Sequence, residues 1–292
     1  MEETKNYINK VSTKRKIKSY VANPVSLILF LLVTVAAIIT FTVLIFLIGY
    51  ILIKGIPHLT PSLFEMKYNT ENVSLMPALI NTITMTLCSL VIAAPLGIFS
   101  AIYLVEYAKR GNRLVNLIRI TAETLAGIPS IVYGLFGLLF FVTTLKWGYS
   151  ILAGAFTLAI MILPLIMRTT EEALKAVPDS FREGSFGLGA GKLRTVFVIV
   201  LPTAVPGILA GVILGVGRIV GETAALIYTA GTAPDIPEGL LNSGRTLAVH
   251  MYALSSEGLY MNQAYATAVV LLIIVVVINT LSGFIAKRIA AR

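Results

Sequence analysis

Runs of about twenty or more consecutive apolar residues recur along this chain, and they restrict its fold more severely than any other feature. A backbone in hydrocarbon has no water to bond. A crossing segment must therefore satisfy its own N–H and C=O groups, and an α-helix does so within a single segment. Six stretches meet the length, at about 25–52, 76–107, 115–144, 149–167, 195–230 and 264–285. With 57% hydrophobic and 13% charged residues, against roughly 25% charged in soluble domains, the chain is no ordinary water-soluble enzyme. It reads as an all-α, polytopic membrane protein with six transmembrane helices. The first stretch follows a lysine-rich segment and exceeds the roughly 7–15 apolar residues of a cleaved signal peptide, so it is expected to stay as a span. Stretches of thirty residues call for tilt, turns outside the hydrocarbon or broken helices.

The formal charge of +9 first suggests nucleic acid, but position decides otherwise. Lys5, Lys10, Lys14, Arg15, Lys16 and Lys18 precede the first stretch, and Lys109, Arg110, Arg113 and Arg119 follow the second. Arg168, Lys175, Arg182, Lys192 and Arg194 lie between the fourth and fifth, and Lys287, Arg288 and Arg292 follow the sixth. The alternate connections hold Lys54, Lys67, Lys146 and Arg245. Basic residues mark the cytoplasmic side, so both termini are expected there, in a multi-pass cell-membrane protein with no nucleic-acid partner. The expected layout is a cytoplasmic segment 1–24, a first helix with its external connection 25–75, a five-helix core 76–286 and a cytoplasmic tail 287–292. Cys88 is the single cysteine and forms no internal disulfide. His58 and His250, far apart in external connections, read as solvated and give no metal site.

Two segments carry chemistry. The connection 168–194 is long enough to hold a helix and dock a partner. Pro178 suits a first helical turn, Asp179 or Ser180 a cap, and glycines at 184, 187, 189 and 191 predict a short helix broken by a turn. Gly191-Lys192 invites comparison with a phosphate-binding loop, but Phe186 stands at the first glycine position and Leu193 at the hydroxyl position, so this chain binds no nucleotide there. In the fifth stretch, Gly207, Gly211 and Gly215, and again Gly217 and Gly221, recur every four residues as faces for close helix approach. Arg218 and Glu222 are four residues apart. On a continuous helix they pair, either as a lock between helices or as part of an ion or substrate path, and the arginine fork suits an oxyanion. In the third stretch, Gly127 and Pro129 permit a kink or unwound turn, and Arg119 is placed to reach Glu123.

These segments resemble known proteins. Glu183-Gly184-Ser185, three residues, Gly189, nine residues, Ile199, one residue, Leu201-Pro202 is similar to the coupling loop of ABC importer permeases, with both alanines of its Glu-Ala-Ala replaced by small residues. Arg218-Ile-Val-Gly221-Glu222-Thr223-Ala224 and Pro129-Ser130-Ile-Val-Tyr133-Gly134-Leu135 resemble segments of the phosphate importer permeases of the PstA type. The likeness spans roughly residues 75–286. It departs at Ala225, where many members carry proline. The resemblance implies a type I ABC importer permease core, with a coupling helix around Glu183–Gly189 seated on a separate ATPase subunit. It also implies a second similar permease subunit in a heterodimer, two ATPase subunits holding ATP-Mg, an external phosphate-binding protein received near 231–263, and phosphate passing Arg218, Glu222 and Thr223. A permease for sulfate, molybdate or phosphonate, or a secondary transporter independent of an ATPase, stays open at this point.

Overall fold

The computed structural model describes residues 23–109 and 111–290, in which the secondary structure is helical and no strand occurs. Residues 1–22, with their six basic side chains, and Arg110 and Arg292 lie outside the described residues. The chain divides into two compact units, Met1–Ile53 and Lys54–Arg292. Helix α1 (Pro24–Gly55) makes up the described part of the first and ends two residues into the second. Its 32 residues reach about 48 Å at 1.5 Å per residue, more than the roughly 30 Å of a bilayer's hydrocarbon. Val33, Ile45 and Phe46 are exposed on different sides of it, as in a helix bathed in lipid. Thr34 and Thr40 hide their hydroxyls by donating to the carbonyls of Phe30 and Ala36 at 2.7 and 2.9 Å.

The second unit contains α2 (Met76–Tyr107), α3 (Arg113–Ala126), α4 (Ser130–Thr144), α5 (Ile151–Lys175), α7 (Lys192–Val220) and α10 (Met261–Ala290). Shorter helices α6 (Asp179–Gly187), α8 (Ala224–Ile227) and α9 (Leu247–Glu257) lie in the connections. Helix α5 is the axis of this unit and packs most extensively on α2 and α7. Leu158, Met161, Ile162 and Ile166 of α5 are buried with Met85 of α2, Ile219 at the end of α7 and Leu226 of α8. Ser150 caps α5 by accepting from the Ala153 amide at 3.2 Å. Buried hydroxyls within the helices bond to carbonyls four residues back, as Thr82, Thr86, Ser89 and Thr157 do at 2.7–2.8 Å.

Among the described residues, five helices, α1, α2, α5, α7 and α10, are long and apolar enough to cross a membrane. The expected span over 115–144 is instead divided: α3 and α4 meet at 100°, and a sixth crossing exists only if the bent pair counts as one. Proline at 129 disfavours helical geometry at Ile128, and Pro129 itself is extended at φ −59°, ψ 141°. The Tyr133 hydroxyl of α4 donates back to the Leu125 carbonyl at 2.8 Å, which fixes the angle. Helix α5 also runs two turns past residue 167, so much of the polar stretch expected as a connection is its continuation.

Residues 54–75 pack within the second unit: Leu63 and Leu75 are buried with Leu247 of α9 and Ala266 of α10, and the Leu75 amide donates to the Leu63 carbonyl at 2.9 Å. His250 lies nearby and is not solvated. It is fully buried on α9, edge-on to Tyr68, whose ring face lies 4.8 Å from the Arg245 guanidinium. Burial, and then the Arg245 charge, push its pKa from 6.5 down to about 3. Unfolded His250 thus takes up a proton below about pH 6.5 that folded His250 refuses until about pH 3, so stability is lost as the pH is lowered through that window. The slope approaches about 1.4 kcal/mol per pH unit for this one group. Thermal unfolding of the purified chain between pH 4 and 8 is expected to show this loss, and His250→Leu to flatten the slope whatever it does to the absolute value.

The glycines of α7 that face α5 divide sharply. A Cβ on Gly211 would run into the Thr169 side chain, and one on Gly207 would come within 2.6 Å of Ala173 Cβ, whereas one on Gly215 would lie 3.8 Å from Ile166. Gly211→Ala is therefore expected to destabilise by about 1–3 kcal/mol through overpacking, and Gly215→Ala to stay within about 0.5 kcal/mol of the parent. Paired thermal melts in detergent check the contrast.

Candidate functional site

At the basic end of the second unit, the chain leaves α5 through Val177 and an extended Pro178, then forms the nine residues of α6. Gly189, at φ +82°, turns it back: the Gly189 and Ala190 amides donate to the Phe186 and Ser185 carbonyls at 2.9 and 3.1 Å. One face of α6 turns inward, where Ser185 is buried and its hydroxyl meets that of Thr195 at 2.8 Å. The other faces outward with Phe181, Glu183, Gly184 and Phe186, followed by Leu188, 91% exposed. A π turn, Val196–Val200, leads to Leu201 and Pro202. Proline has no N–H to give the preceding turn, and the wider turn before it absorbs the irregularity. Leu201 is half-buried and Pro202 exposed.

The residue that fixes α6 is Arg182, which the sequence reading counted only as a charge. Its guanidinium donates to Glu106, at the end of α2, at 2.7 and 3.2 Å, to the carbonyls of Val177 and Leu174 at 2.8 and 3.0 Å, and to Asp179 at 3.2 Å. Both partners are largely withdrawn from solvent, with side-chain exposures of 14% for Arg182 and 7% for Glu106. Helix α6 is thereby clamped to the ends of α2 and α5. Alongside, buried Glu171 of α5 takes Arg119 of α3 at 2.7 Å and Lys175 at 2.6 Å. Arg119 therefore binds α3 to α5 and does not pair with Glu123.

The second locus is the end of α7. Arg218 and Glu222 form no ion pair, because the helix stops at Val220 and Gly221 begins a break. Glu222, 8% exposed, turns inward, and its Oε1 accepts the Ala225 amide at 3.1 Å, which seeds α8. The Thr223 hydroxyl donates locally, to the Gly221 carbonyl at 3.5 Å. Ala225 matters twice: proline there would lack the donor, and its Cα sits where a Cβ on Gly134 of α4 would come within 2.8 Å. The close contact joins α8 to α4 just beyond the break at Gly127, Pro129 and Ser130. Arg218 is left half-buried, without a carboxylate partner among the described residues. Its neighbours Gly217 and Gly221 were expected to pack like the other glycines. Within the described residues no other helix approaches them: a Cβ on Gly217 would meet nothing within 4 Å, and one on Gly221 only its own helix at 3.7 Å.

The chain matches the family described as "Binding-protein-dependent transport system inner membrane component" over residues 93–292. It is 35% identical over 239 residues to the probable ABC transporter permease protein YqgI of Bacillus subtilis, covering 77% of this chain and 81% of that one. It is 35% identical over 239 residues to the phosphate transport system permease protein PstA of Yersinia pestis, covering 80% of each. Among solved structures, a bacterial alginate ABC transporter in complex with its alginate-bound periplasmic protein shares the fold, with a TM-score of 0.62 at 17% identity over 88% of this chain and 95% of that one. With that family match over two thirds of its length and relatives 35% identical over most of both chains, the chain belongs to the family of binding-protein-dependent transport system inner membrane components.

Proposed function

We propose that this chain is the permease subunit of a phosphate importer, driven by ATP that its partners bind. The observation that carries the reading is Arg218: a cation near the end of an apolar spanning helix, with no carboxylate partner among the described residues, beside a glycine face that no described residue fills. An unpaired arginine in that setting is costly unless an anion or a facing subunit meets it. The PstA relatives point to phosphate as the anion. The open face of Gly217 and Gly221 suits a second, similar permease subunit, so the path runs between the two. Glu222 is not paired with Arg218. It holds the break open by seeding α8, and leaves the arginine charge for the anion.

Two ATPase subunits carry ATP-Mg, and this chain holds no nucleotide or other cofactor itself. The outward face of α6, with Glu183, Gly184 and Leu188, seats on one of them at the cytoplasmic side, where both termini also lie. Closure of the ATPase pair displaces α6, and the Arg182 clamp passes that movement to α2 and α5 together. The bundle then opens outward to an external phosphate-binding protein, and reopens inward when ATP is hydrolysed. Nothing in this cycle involves nucleic acid; the remaining partner is membrane lipid.

Two substitutions test the proposal. Arg218→Ala is expected to lower phosphate uptake in assembled transporter ten- to hundredfold, as loss of charge-assisted bonds worth about 1.5–3 kcal/mol implies. Arg218→Lys should recover part of it, and unchanged uptake at normal assembly would remove Arg218 from the path. Sulfate and molybdate as competitors define the anion. Arg182→Ala leaves Glu106 buried without its partner, a loss of about 3–5 kcal/mol at this joint. ATPase activity in the assembled complex should then persist but cease to respond to the loaded binding protein; a normal response would show that the clamp does not couple.

A further inference from the structure

Between the end of α2, the first turn of α3 and the inner side of α6 lies a cavity of about 920 Å³. Its chemistry is one-sided. Lys109, Arg113 and Lys192 reach it beside Arg119, Lys175 and Arg182. The carboxylates on its wall, Glu106 and Asp179, are already engaged by Arg182 at 2.7 and 3.2 Å. Arg119 and Lys175 share Glu171. Lys192 has the face of the Tyr107 ring, 5.1 Å from its ammonium, and no carboxylate, while Lys109 and Arg113 have no ion-pair partner among the described residues. Three uncompensated cations from three elements thus converge on one space. The N-terminal turn of α3 lines the same wall through Gly111, Asn112 and Arg113, adding the positive end of a fourteen-residue helix.

Such a wall repels itself and is relieved by a compact, multiply charged oxyanion. An arginine fork beside two lysines and a helix N-terminus is the donor set that phosphate oxygens accept best. We infer that this cavity binds a phosphate group, supplied either as free inorganic phosphate or as the headgroup of an anionic phospholipid. Both sources offer the same oxygens, and the adjoining α3 exposes Leu114, Leu117 and Ile118, an apolar flank that would suit the acyl chains of a lipid. A phosphate held by Lys109, Arg113 and Lys192 ties the ends of α2, α3 and α7 together around α6, so occupancy stiffens the segment that carries Arg182. The site is separate from the break at Arg218 and does not depend on which solute the transporter carries.

The test uses the full chain with its co-purifying partners in nanodiscs, in an Arg218→Ala background that removes binding at the membrane-level arginine. In phosphatidylcholine nanodiscs, equilibrium binding of radiolabelled inorganic phosphate is measured for the parent and for Lys109→Gln/Arg113→Gln. In nanodiscs containing phosphatidylglycerol, native mass spectrometry counts retained anionic lipid for the same pair. A tenfold or greater loss of phosphate affinity in the double variant assigns the site to the free anion, and loss of retained lipid alone assigns it to the headgroup. Lys109→Arg/Arg113→Lys should keep whichever ligand the parent binds, which separates lost charge from lost folding. The inference is overturned if neither probe binds the parent, if the double variant binds both as the parent does, or if cross-linking from Lys109 finds an acidic segment of a partner protein in the cavity.

Discussion

Backbone groups carried into hydrocarbon must find partners within the chain, and the places where helices fail to provide them organise this molecule. Along α2 and α5 the helix runs on, missing a donor only at Pro95 and Pro164 in its interior, and buried hydroxyls fold back onto the ladder. At 126–130 and 220–224 it stops. There side chains replace the missing backbone partners, with Tyr133 donating to Leu125 and Glu222 accepting from Ala225. Each repair also sets a direction: the first fixes α3 against α4, and the second starts α8, which lies on α4 through the Gly134 and Ala225 contact. The two breaks are thus one structural unit, and the unpaired Arg218 sits at its edge.

The other end obeys a different rule. Near water, ion pairs can join elements, and here they lie over an apolar cluster of Leu104, Val115, Leu174 and Val196 that draws the same helix ends together but includes no residue of α6. Glu171 gathers Arg119 and Lys175, while Arg182 gathers Glu106, Asp179 and two carbonyls. An exposed ion pair contributes little, but the Arg182 and Glu106 pair is largely withdrawn from solvent and bonded on several sides. Helix α6 is short and glycine-flanked, so it has little stability of its own. Its fixed position comes from this joint and from the buried Ser185 and Thr195 contact. A connection held at so many points moves with the ends of α2 and α5, where a loosely tethered one would move alone.

What was legible beforehand follows the same physics. Span lengths, the helix within 168–194, the weak point at Gly127 and Pro129, and the glycine face of Gly207, Gly211 and Gly215 are local properties, set by neighbours within one or two turns. Contacts distant in sequence left no such trace: Arg182 and Glu106 are 76 residues apart, and nothing in either segment names the other. The expected pairing of Arg218 with Glu222 failed for an instructive reason. The four-residue rule presumes that the helix continues, and Gly221 ends it. His250 was misplaced because a connection outside the apolar spans was equated with solvent, whereas residues 54–75 and α9 build a buried cluster of their own there.

The charge of +9 takes on a sharper meaning once these contacts are known. Much of the basic surplus in the described residues lies where α2, α3, α5, α6 and α7 end together, and part of it is matched by Glu106, Glu171 and Asp179. Acids inserted between helix ends use basic residues as struts. Lys109, Arg113 and Lys192 line the cavity without a carboxylate among the described residues, and Arg218, beside the open sides of Gly217 and Gly221, has none there either. Orientation in the membrane explains why basic residues gather at one end, but it does not require that some be left unpaired. Buried Arg245, which also has no carboxylate among the described residues, lies against the Tyr68 ring, whereas the cations beside open volume have only solvent or a group from outside the chain to complete their electrostatics.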